Sequence, residues 1–276
     1  MEEQKDWEFP EAAQPNEDEV AFELDRSLSS LLLLRSKIAE DGFTASILGT
    51  ERAGNGVVIG EDGLVLTIGY LIVEAEEIWL TANDGSTVPA HLVGYDQGTG
   101  FGLVQALGRL GVPAMALGTS ESSTLGDDVI VAGHGGRRHA LMARVVSKQE
   151  FAGYWEYVLD EAIFTAPAHP NWGGAALIGL DGKLQGIGSL FLQQMIGGSS
   201  PVNGNMIVPI DLLLPILDDL VMYGRVNAAP RPWLGVFAAE EDGKIAVVGL
   251  ASGGPAQQAG LRMGDVVLQV AGRPCE

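Results

Sequence analysis

The feature of this chain that most constrains its fold is a series of Asp-Gly pairs set between short runs of aliphatic and β-branched residues. The pairs occur at residues 62–63, 84–85, 181–182 and 242–243. Asp-Gly between extended segments is typical of a tight hairpin turn, because glycine accepts the positive φ that such turns require. Candidate strands follow one another closely between residues 56 and 190, with few helical segments among them. This pattern predicts an all-β domain built as a barrel or a sandwich.

The composition excludes several classes of function. Acidic residues outnumber basic ones by 36 to 16, which gives a net charge of −20 over 276 residues. Nucleic acids and anionic membrane surfaces attract basic proteins, so we expect neither as a partner. Cys275 is the single cysteine, and no cysteine and histidine residues have the spacing of a zinc site. We therefore expect no disulfide, no metal and no cofactor.

The start of the chain gives an expectation about location. It reads Met-Glu-Glu-Gln-Lys-Asp and shows no basic stretch followed by an apolar run, which a secretory signal would require. The longest apolar stretches, at residues 31–34 and 206–217, are too short to span a bilayer. These observations predict a cytoplasmic protein.

Three regions follow from the distribution of residue types. Residues 1–45 combine an acidic tail with an amphipathic helix, predicted over 18–39 from apolar residues at three- and four-residue steps. Residues 46–226 contain the candidate strands. A polar, proline-containing linker at 227–232 then precedes a small unit over 231–276.

Several stretches of the chain together resemble a known family. They lie at residues 54–67, 93–103, 125–133, 180–188 and 205–210, and two more lie at 233–236 and 254–265. In order and spacing they are similar to the HtrA/Deg family of trypsin-like serine proteases, the last two to the PDZ domain that follows the protease. The resemblance implies a trypsin-like double six-stranded β-barrel, preceded here by the N-terminal helix and followed by a PDZ-like unit. We expect that unit to be an incomplete PDZ domain, since residues 233–276 contain no counterpart of its long helix and last strand.

The positions that correspond to the catalytic residues of the family carry other residue types. Tyr70, or Leu71 in an alternative alignment, stands where the resemblance places the histidine base. Gly100 stands at the aspartate position, and Gly173, or Trp172 with a one-residue gap, stands at the serine position. The mechanism needs a hydroxyl nucleophile, an imidazole base and a carboxylate that orients it. We therefore expect no catalytic residue in this chain, although backbone N–H groups of Gly173 and its neighbour Gly174 are candidates for an oxyanion-hole-like turn.

The predicted binding residues lie in two groups. Tyr154, Trp155, Trp172 and His169 come from the region of the vacated active site, and Trp233, Leu234, Gly235 and Val236 from the PDZ-like unit. Aromatic residues are typical of protein-binding surfaces, but alternate rings along 151–157 also fit a strand that faces a core. His169 likewise fits a hydrogen-bonded loop residue.

The loop at residues 134–139 allows two interpretations. His134 and His139 flank Arg137 and Arg138, an adjacent arginine pair in a strongly acidic chain. The loop is either solvated or an anion-binding site built by the two arginines.

These observations predict an inactive HtrA-like pseudoprotease that binds or scaffolds a protein or peptide. Two alternatives stay open. One is a serine endopeptidase with a non-standard centre, using Ser189, Ser199 or Ser200 with His169 or His134. The other is an assembly factor or chaperone for a specific enzyme complex. Many members of the family trimerise through aromatic residues that precede the first barrel, and Trp7, Phe9 and Phe22 are candidates for that role.

Overall fold

A computed structural model describes residues 7–153, 156–195, 202–229, 232–241 and 243–275. The chain divides into two compact units. The first, the barrel unit, comprises Met1–Phe151 and Val158–Val226, and the second, the PDZ-like unit, comprises Ala152–Tyr157 and Asn227–Glu276.

The barrel unit contains two closed six-stranded barrels of antiparallel strands. The strands of the first barrel are β1 Leu31–Ile38, β2 Glu51–Val58, β3 Leu64–Ile68, β4 Ala75–Thr81, β5 Thr87–Tyr95 and β6 Phe101–Ala106, in the order β1-β2-β3-β6-β5-β4. The strands of the second are β7 Asp128–Ala132, β8 Ala140–Ala152, β9 Val158–Ala166, β10 Ala176–Ile178, β11 Leu184–Met195 and β12 Val202–Pro209, in the order β10-β11-β12-β9-β8-β7. This architecture confirms the predicted all-β, trypsin-like double barrel.

The remaining elements are short. The helices are α1 Leu24–Leu28, α2 Ala45–Leu48, α3 Leu217–Tyr223 and α4 Pro255–Gln258. The PDZ-like unit pairs β13 Val236–Glu241, β14 Lys244–Leu250 and β15 Val266–Val267 in one sheet, and β16 Gln269–Val270 with β17 Arg273–Pro274 in another. None of the helices in the described ranges has the length and apolar character needed to cross a bilayer.

The predicted helix over residues 18–39 is wrong for most of its length. Only a short 3-10 turn at Glu17–Glu19 and α1 are helical, with Leu24 and Leu28 of α1 buried one turn apart, and the chain then enters β1. Arg35 and Lys37 are exposed in β1, whereas the residues between and beside them are buried. This two-residue alternation is the strand signal that the leucine run before it conceals, because leucines buried on both faces of a strand also fit a helical spacing.

The side chain of Asn55, in β2 of the first barrel, joins the two barrels. It is 4% exposed. Its Oδ1 accepts a hydrogen bond from the His134 backbone N–H at 2.8 Å, and its Nδ2 donates to the carbonyls of Asn171 (2.9 Å) and Gly173 (3.2 Å). The backbone N–H of Asn55 donates to the same Gly173 carbonyl at 2.8 Å. All three partners of its side chain belong to loops of the second barrel, so one amide sets the position of those loops relative to the first.

The close approach of these backbones requires glycine at position 174. Gly174 has a φ of +75°, and a Cβ atom on it would overlap the carbonyl oxygen of Asn55. A side chain at this position would therefore force the loop away from β2.

We predict that Asn55→Ala lowers the free energy of unfolding by at least about 2 kcal/mol, because it leaves the His134 N–H and the Asn171 carbonyl without these partners, at about 1–3 kcal/mol for each unsatisfied group. Urea denaturation followed by circular dichroism measures the change. Asn171→Ala is the matched control, since this asparagine side chain is exposed and makes no hydrogen bond within the described residues. An Asn55→Ala protein as stable as the Asn171→Ala protein would contradict the role assigned to the amide.

Candidate functional site

Tyr70 lies at the end of the first barrel, in the turn Gly69–Leu71 that follows β3. Its backbone carbonyl accepts a hydrogen bond from Arg52 Nη1 at 2.7 Å, and Arg52 itself is only 6% exposed. Burial lowers the pKa of this arginine, against a smaller opposing effect of the Glu74 carboxylate. The Tyr70 hydroxyl donates to the Ser189 carbonyl in β11 of the second barrel at 2.8 Å. The phenol therefore spans the space between the barrels.

Gly173 faces the same hydroxyl from the loop that precedes β10. A Cβ atom on Gly173 would lie 2.8 Å from Tyr70 Oη. The positions predicted for the base and the nucleophile are therefore adjacent in the structure. The alternative base position, Leu71, is buried at 4% exposure and carries no polar group.

Gly100 completes this group of positions. Its carbonyl accepts a hydrogen bond from the N–H of Gly69, the residue before Tyr70, at 2.7 Å. Gly100 is buried and has a φ of +81°, a conformation that residues with a Cβ atom rarely adopt. The structure thus brings Tyr70, Gly100 and Gly173 together, with neither imidazole, carboxylate nor hydroxyl nucleophile at the three positions.

Trp172, the alternative nucleophile position, lies beside this group and is half-buried. Its ring packs against Phe191 of β11, with ring centroids 5.4 Å apart and a tilt of 44°. Its carbonyl accepts a hydrogen bond from Ala175 N–H at 3.0 Å. The ring pair forms an aromatic surface along β11.

The backbone N–H groups around Gly173 are largely used within the protein. Gly174 N–H donates to the Gly188 carbonyl at 2.9 Å, and Asn171 N–H donates to His169 Nδ1 at 3.1 Å. The expectation that Gly174 presents its N–H to a ligand is therefore wrong, because β11 already accepts that hydrogen bond.

His169 is a buried structural residue. Its side chain is 0% exposed, Nδ1 accepts from Asn171, and Nε2 lies 3.0 Å from the His139 carbonyl, so the ring carries its proton on Nε2. Burial lowers its pKa to about 4, which keeps the ring neutral near pH 7. The side chain of Asn205 holds the backbone of His169 through two hydrogen bonds, since it accepts from the His169 N–H and donates to the His169 carbonyl. His169 thus shapes the loop and is fully covered by other residues of the chain.

No rival catalytic group is assembled around the other histidines. His134 Nε2 lies 3.2 Å from the Ala82 carbonyl, and burial lowers the pKa of His134. His139 Nδ1 lies 3.0 Å from the His134 carbonyl. In the described part of the chain, no histidine ring is hydrogen-bonded to a hydroxyl or a carboxylate. Ser189 is fully buried, while Ser199 and Ser200 lie outside the described residues.

The remaining predicted binding residues are placed as follows. Tyr154 and Trp155 lie outside the described residues. In the PDZ-like unit, Trp233 and Leu234 are more than half exposed, with Gly235 at a φ of +70° between them and β13. The carbonyls of Leu234 and Gly235 accept hydrogen bonds from Ala256 and Ala251. Over the described residues, no group of three or more acidic, histidine or cysteine side chains could hold a metal ion.

Two residues that matter at this site, Asn55 and Arg52, were missed by the sequence analysis. Asn55 stands between two glycines in the stretch Gly54–Gly56, where a polar side chain inside a strand is unusual. That signal could have identified Asn55, whereas nothing in the sequence singles out Arg52 as buried.

Two family models match the chain. A trypsin-like peptidase domain matches residues 54–187, and a PDZ domain matches residues 247–276. Both fall on the units in which the structure places barrels and PDZ-like strands.

Curated relatives include probable periplasmic serine endoproteases of the DegP-like type. Those of Pseudomonas fulva (strain 12-X) and Pseudomonas putida (strain W619) are 28% and 29% identical over 234 residues, which cover 80% of this chain and 47% of each relative. That of Halomonas elongata is 29% identical over 233 residues. The chain thus spans about half the length of the curated relatives it matches.

Solved structures of similar fold include the HtrA-type protease AlgW with a tripeptide, with a TM-score of 0.59 and 22% identity over 94% of this chain and 84% of that one. The complex of AlgW with a decapeptide has a TM-score of 0.57 and the same identity, over 91% and 85% of the two chains. At this identity the likeness shows the fold.

The predicted cytoplasmic location is wrong. The curated relatives are named periplasmic endoproteases. The prediction depended on the absence of a signal at the start of the printed sequence, which is a weak basis for locating a protein.

The shared sequence motifs, the two matching family models and the double barrel lead to one conclusion. The chain is similar to the HtrA-type trypsin-like proteins over both of its units.

Proposed function

We propose that this HtrA-like protein does not cleave peptide bonds and instead binds an extended polypeptide in the cleft between its barrels. The observation that carries the proposal is the hydrogen bond from the Tyr70 hydroxyl to the Ser189 carbonyl, directly over Gly173. A phenol thus occupies the space in which a serine side chain and its base would meet.

The chemistry of the three positions supports this proposal. Acyl transfer needs a hydroxyl that attacks and a base that accepts its proton. Gly173 has no side chain to attack with. Tyrosine has an ordinary pKa of about 10, so a phenol is a poor base near pH 7. The hydroxyl of Tyr70 also donates its proton to the Ser189 carbonyl.

The backbone around the site supports the proposal as well. A serine at position 173 would crowd Tyr70 Oη, and an aspartate at position 100 would have to adopt a φ of +81°. Residues other than glycine are strained in such conformations. The surroundings, and not only the three side chains, are therefore adapted to a site without a triad.

The edge of β11 offers a place for a polypeptide. Strand β10 pairs with β11 only from Leu184 to Ile187, with a further pair of hydrogen bonds at Gly188. Beyond Gly188, within the described residues, β11 continues toward Phe191 with no strand beside it on the β10 side. An extended peptide could add as a strand there, with the Trp172 and Phe191 rings as anchors.

The relatives add a location to the proposal, and the PDZ-like unit adds a second peptide-binding surface. Because the matched endoproteases are named periplasmic, we propose the periplasm as the place of action. The PDZ-like unit, with Trp233 and Leu234 exposed, would supply a second peptide-binding surface. The bound partner is then either a range of unfolded proteins or one dedicated complex. Capture of many proteins or of one set of subunits from the host periplasm separates these two.

We predict that the purified protein is not labelled by a fluorophosphonate probe, because the described cleft presents no activated serine. Gly173→Ser is expected to remain unlabelled, since the new hydroxyl lacks a base. In-gel fluorescence measures labelling, with trypsin added to a parallel sample as the positive control. Labelling of the natural chain that peptide mapping assigns to one of its own serines would overturn the proposal.

We predict that Gly173 and Tyr70 are energetically coupled. Gly173→Ala should lower the free energy of unfolding by about 1–3 kcal/mol, because its Cβ would crowd Tyr70 Oη. In a Tyr70→Phe background, which removes that oxygen, the same substitution should cost less than about 0.5 kcal/mol. A double-mutant cycle by urea denaturation gives the coupling. Equal costs in both backgrounds would show that the two positions do not meet.

We predict that Trp172→Ala weakens binding of an unfolded basic protein by about fivefold or more, since aromatic anchors dominate such interfaces. The probe is fluorescein-labelled lysozyme, reduced and blocked with iodoacetamide, and fluorescence anisotropy measures its binding. Trp79→Ala is the matched control, because Trp79 is 44% exposed on β4 of the first barrel. Equal weakening by both substitutions, or by neither, would contradict a binding site at the cleft.

A further inference from the structure

The chain before the first barrel is attached to the second barrel. We call residues 7–22 the amino-terminal segment and residues 134–139, between β7 and β8, the arginine loop. The Phe9 N–H donates to the Arg138 carbonyl at 3.0 Å, and farther along the segment the Ala21 N–H donates to the Leu180 carbonyl at 3.4 Å. The segment therefore lies along the barrel and is held at both ends.

Two aromatic rings of the segment rest on two histidines. Trp7 stacks on His139, with ring centroids 4.7 Å apart and a tilt of 21°. Phe9 and His169 pack edge to face with ring centroids 5.2 Å apart, and the ring centroids of Trp7 and Phe9 are 5.1 Å apart. The rings thus fill a shallow surface that His139 and His169 line.

Carboxylates of the segment pair with both arginines of the loop. Glu8 accepts from Arg138 at 2.8 Å, and Glu17 lies 3.3 Å from Arg137. Asp25, at the start of α1, pairs with Arg137 at 3.0 Å. The solvated-loop interpretation of residues 134–139 is therefore replaced by the anion-binding one, and the anions come from the chain itself.

These contacts show which chemical groups the arginine loop recognises. The loop carries the adjacent arginine pair of a chain with a net charge of −20. Arg138 pairs with an acidic residue set between two aromatic ones, and Arg137 pairs with Glu17 and Asp25. The ion pairs are exposed and individually weak, because solvent screens them. The segment is therefore a ligand that a competitor of the same chemistry could displace.

We propose that the arginine loop, with the ring faces of His139 and His169, is a binding site for an acidic-aromatic peptide of a partner protein, and that residues 7–9 occupy it in cis. The partner is recognised by an aromatic, acidic, aromatic sequence such as Trp7-Glu8-Phe9. This inference does not depend on whether the cleft between the barrels cleaves or binds peptides.

Occupancy of this site is linked to the loop that carries Gly173. The rings of the segment rest on His169, and His169 Nδ1 accepts the N–H of Asn171, two residues before Gly173. A partner that replaces the segment would therefore contact a residue that also positions this loop.

The experiment removes the two aromatic rings of the segment from the site in the full chain and then adds the segment as a separate peptide. The variant is Trp7→Ala with Phe9→Ala, and the probe is a fluorescein-labelled peptide with the sequence of residues 7–20. Anisotropy should show binding to the variant about tenfold tighter than to the natural chain, whose own segment competes at a high effective concentration. Arg138→Glu in the vacated variant should weaken binding about tenfold or more, since it turns an ion pair into a repulsion.

The controls separate this site from general attraction of an acidic peptide to arginine. Arg144→Glu in the vacated variant is the matched control, because Arg144 is an exposed arginine of β8 that pairs with Asp128. It should leave peptide binding unchanged. A peptide with Glu8→Lys should bind the Arg138→Glu variant better than the original peptide does. If the double alanine variant does not fold, Glu8→Lys in the full chain replaces it, since this substitution changes one exposed ion pair.

The outcomes decide the proposal. Equal binding of the peptide to the natural and vacated chains, no binding to the vacated chain, or equal loss with Arg138→Glu and Arg144→Glu would each overturn it. Dimers of the natural chain that dissociate when the peptide is added would show that the segment of a second copy fills the site, and would overturn its occupancy in cis.

Discussion

The structure of the barrel unit depends on one buried amide. Asn55 projects from the first barrel, and its two polar atoms hold the loops of the second barrel that contain His134, Asn171 and Gly173. A buried amide is costly unless its donors and acceptors are paired, so this arrangement is stable only in one relative position of the barrels. Glycine at 174 allows the backbones to meet there. The geometry at Tyr70 and Gly173 follows from this constraint.

The sequence predicts the architecture well and the details of the site unevenly. Strand periodicity, Asp-Gly turns and motif order were sufficient for the double barrel, because each strand carries its own local signal. The positions of Tyr70, Gly100 and Gly173 could be predicted to converge because the motifs preserve the family's order. The role of Asn55 depends on loops more than 75 residues away in sequence, which no local pattern shows. The first strand was mistaken for a helix because its leucines are buried on both faces.

The histidines show that the type of a residue does not by itself reveal its environment in the fold. His169 was a candidate from its position in sequence close to Trp172 and Gly173, yet the structure buries it and uses both ring nitrogens. Its lowered pKa is a consequence of burial and not a sign of catalysis. The arginine pair shows the converse, because a loop that could have been solvated is covered by acidic residues from a distant part of the chain.

The left-handed backbone of Gly100 has a consequence for any change at this position. Gly100 is buried with a φ of +81°, a conformation in which a residue with a Cβ atom is strained. An aspartate introduced at position 100 would therefore cost stability before it could orient any base. To place a carboxylate here, the main chain would have to change together with the side chain.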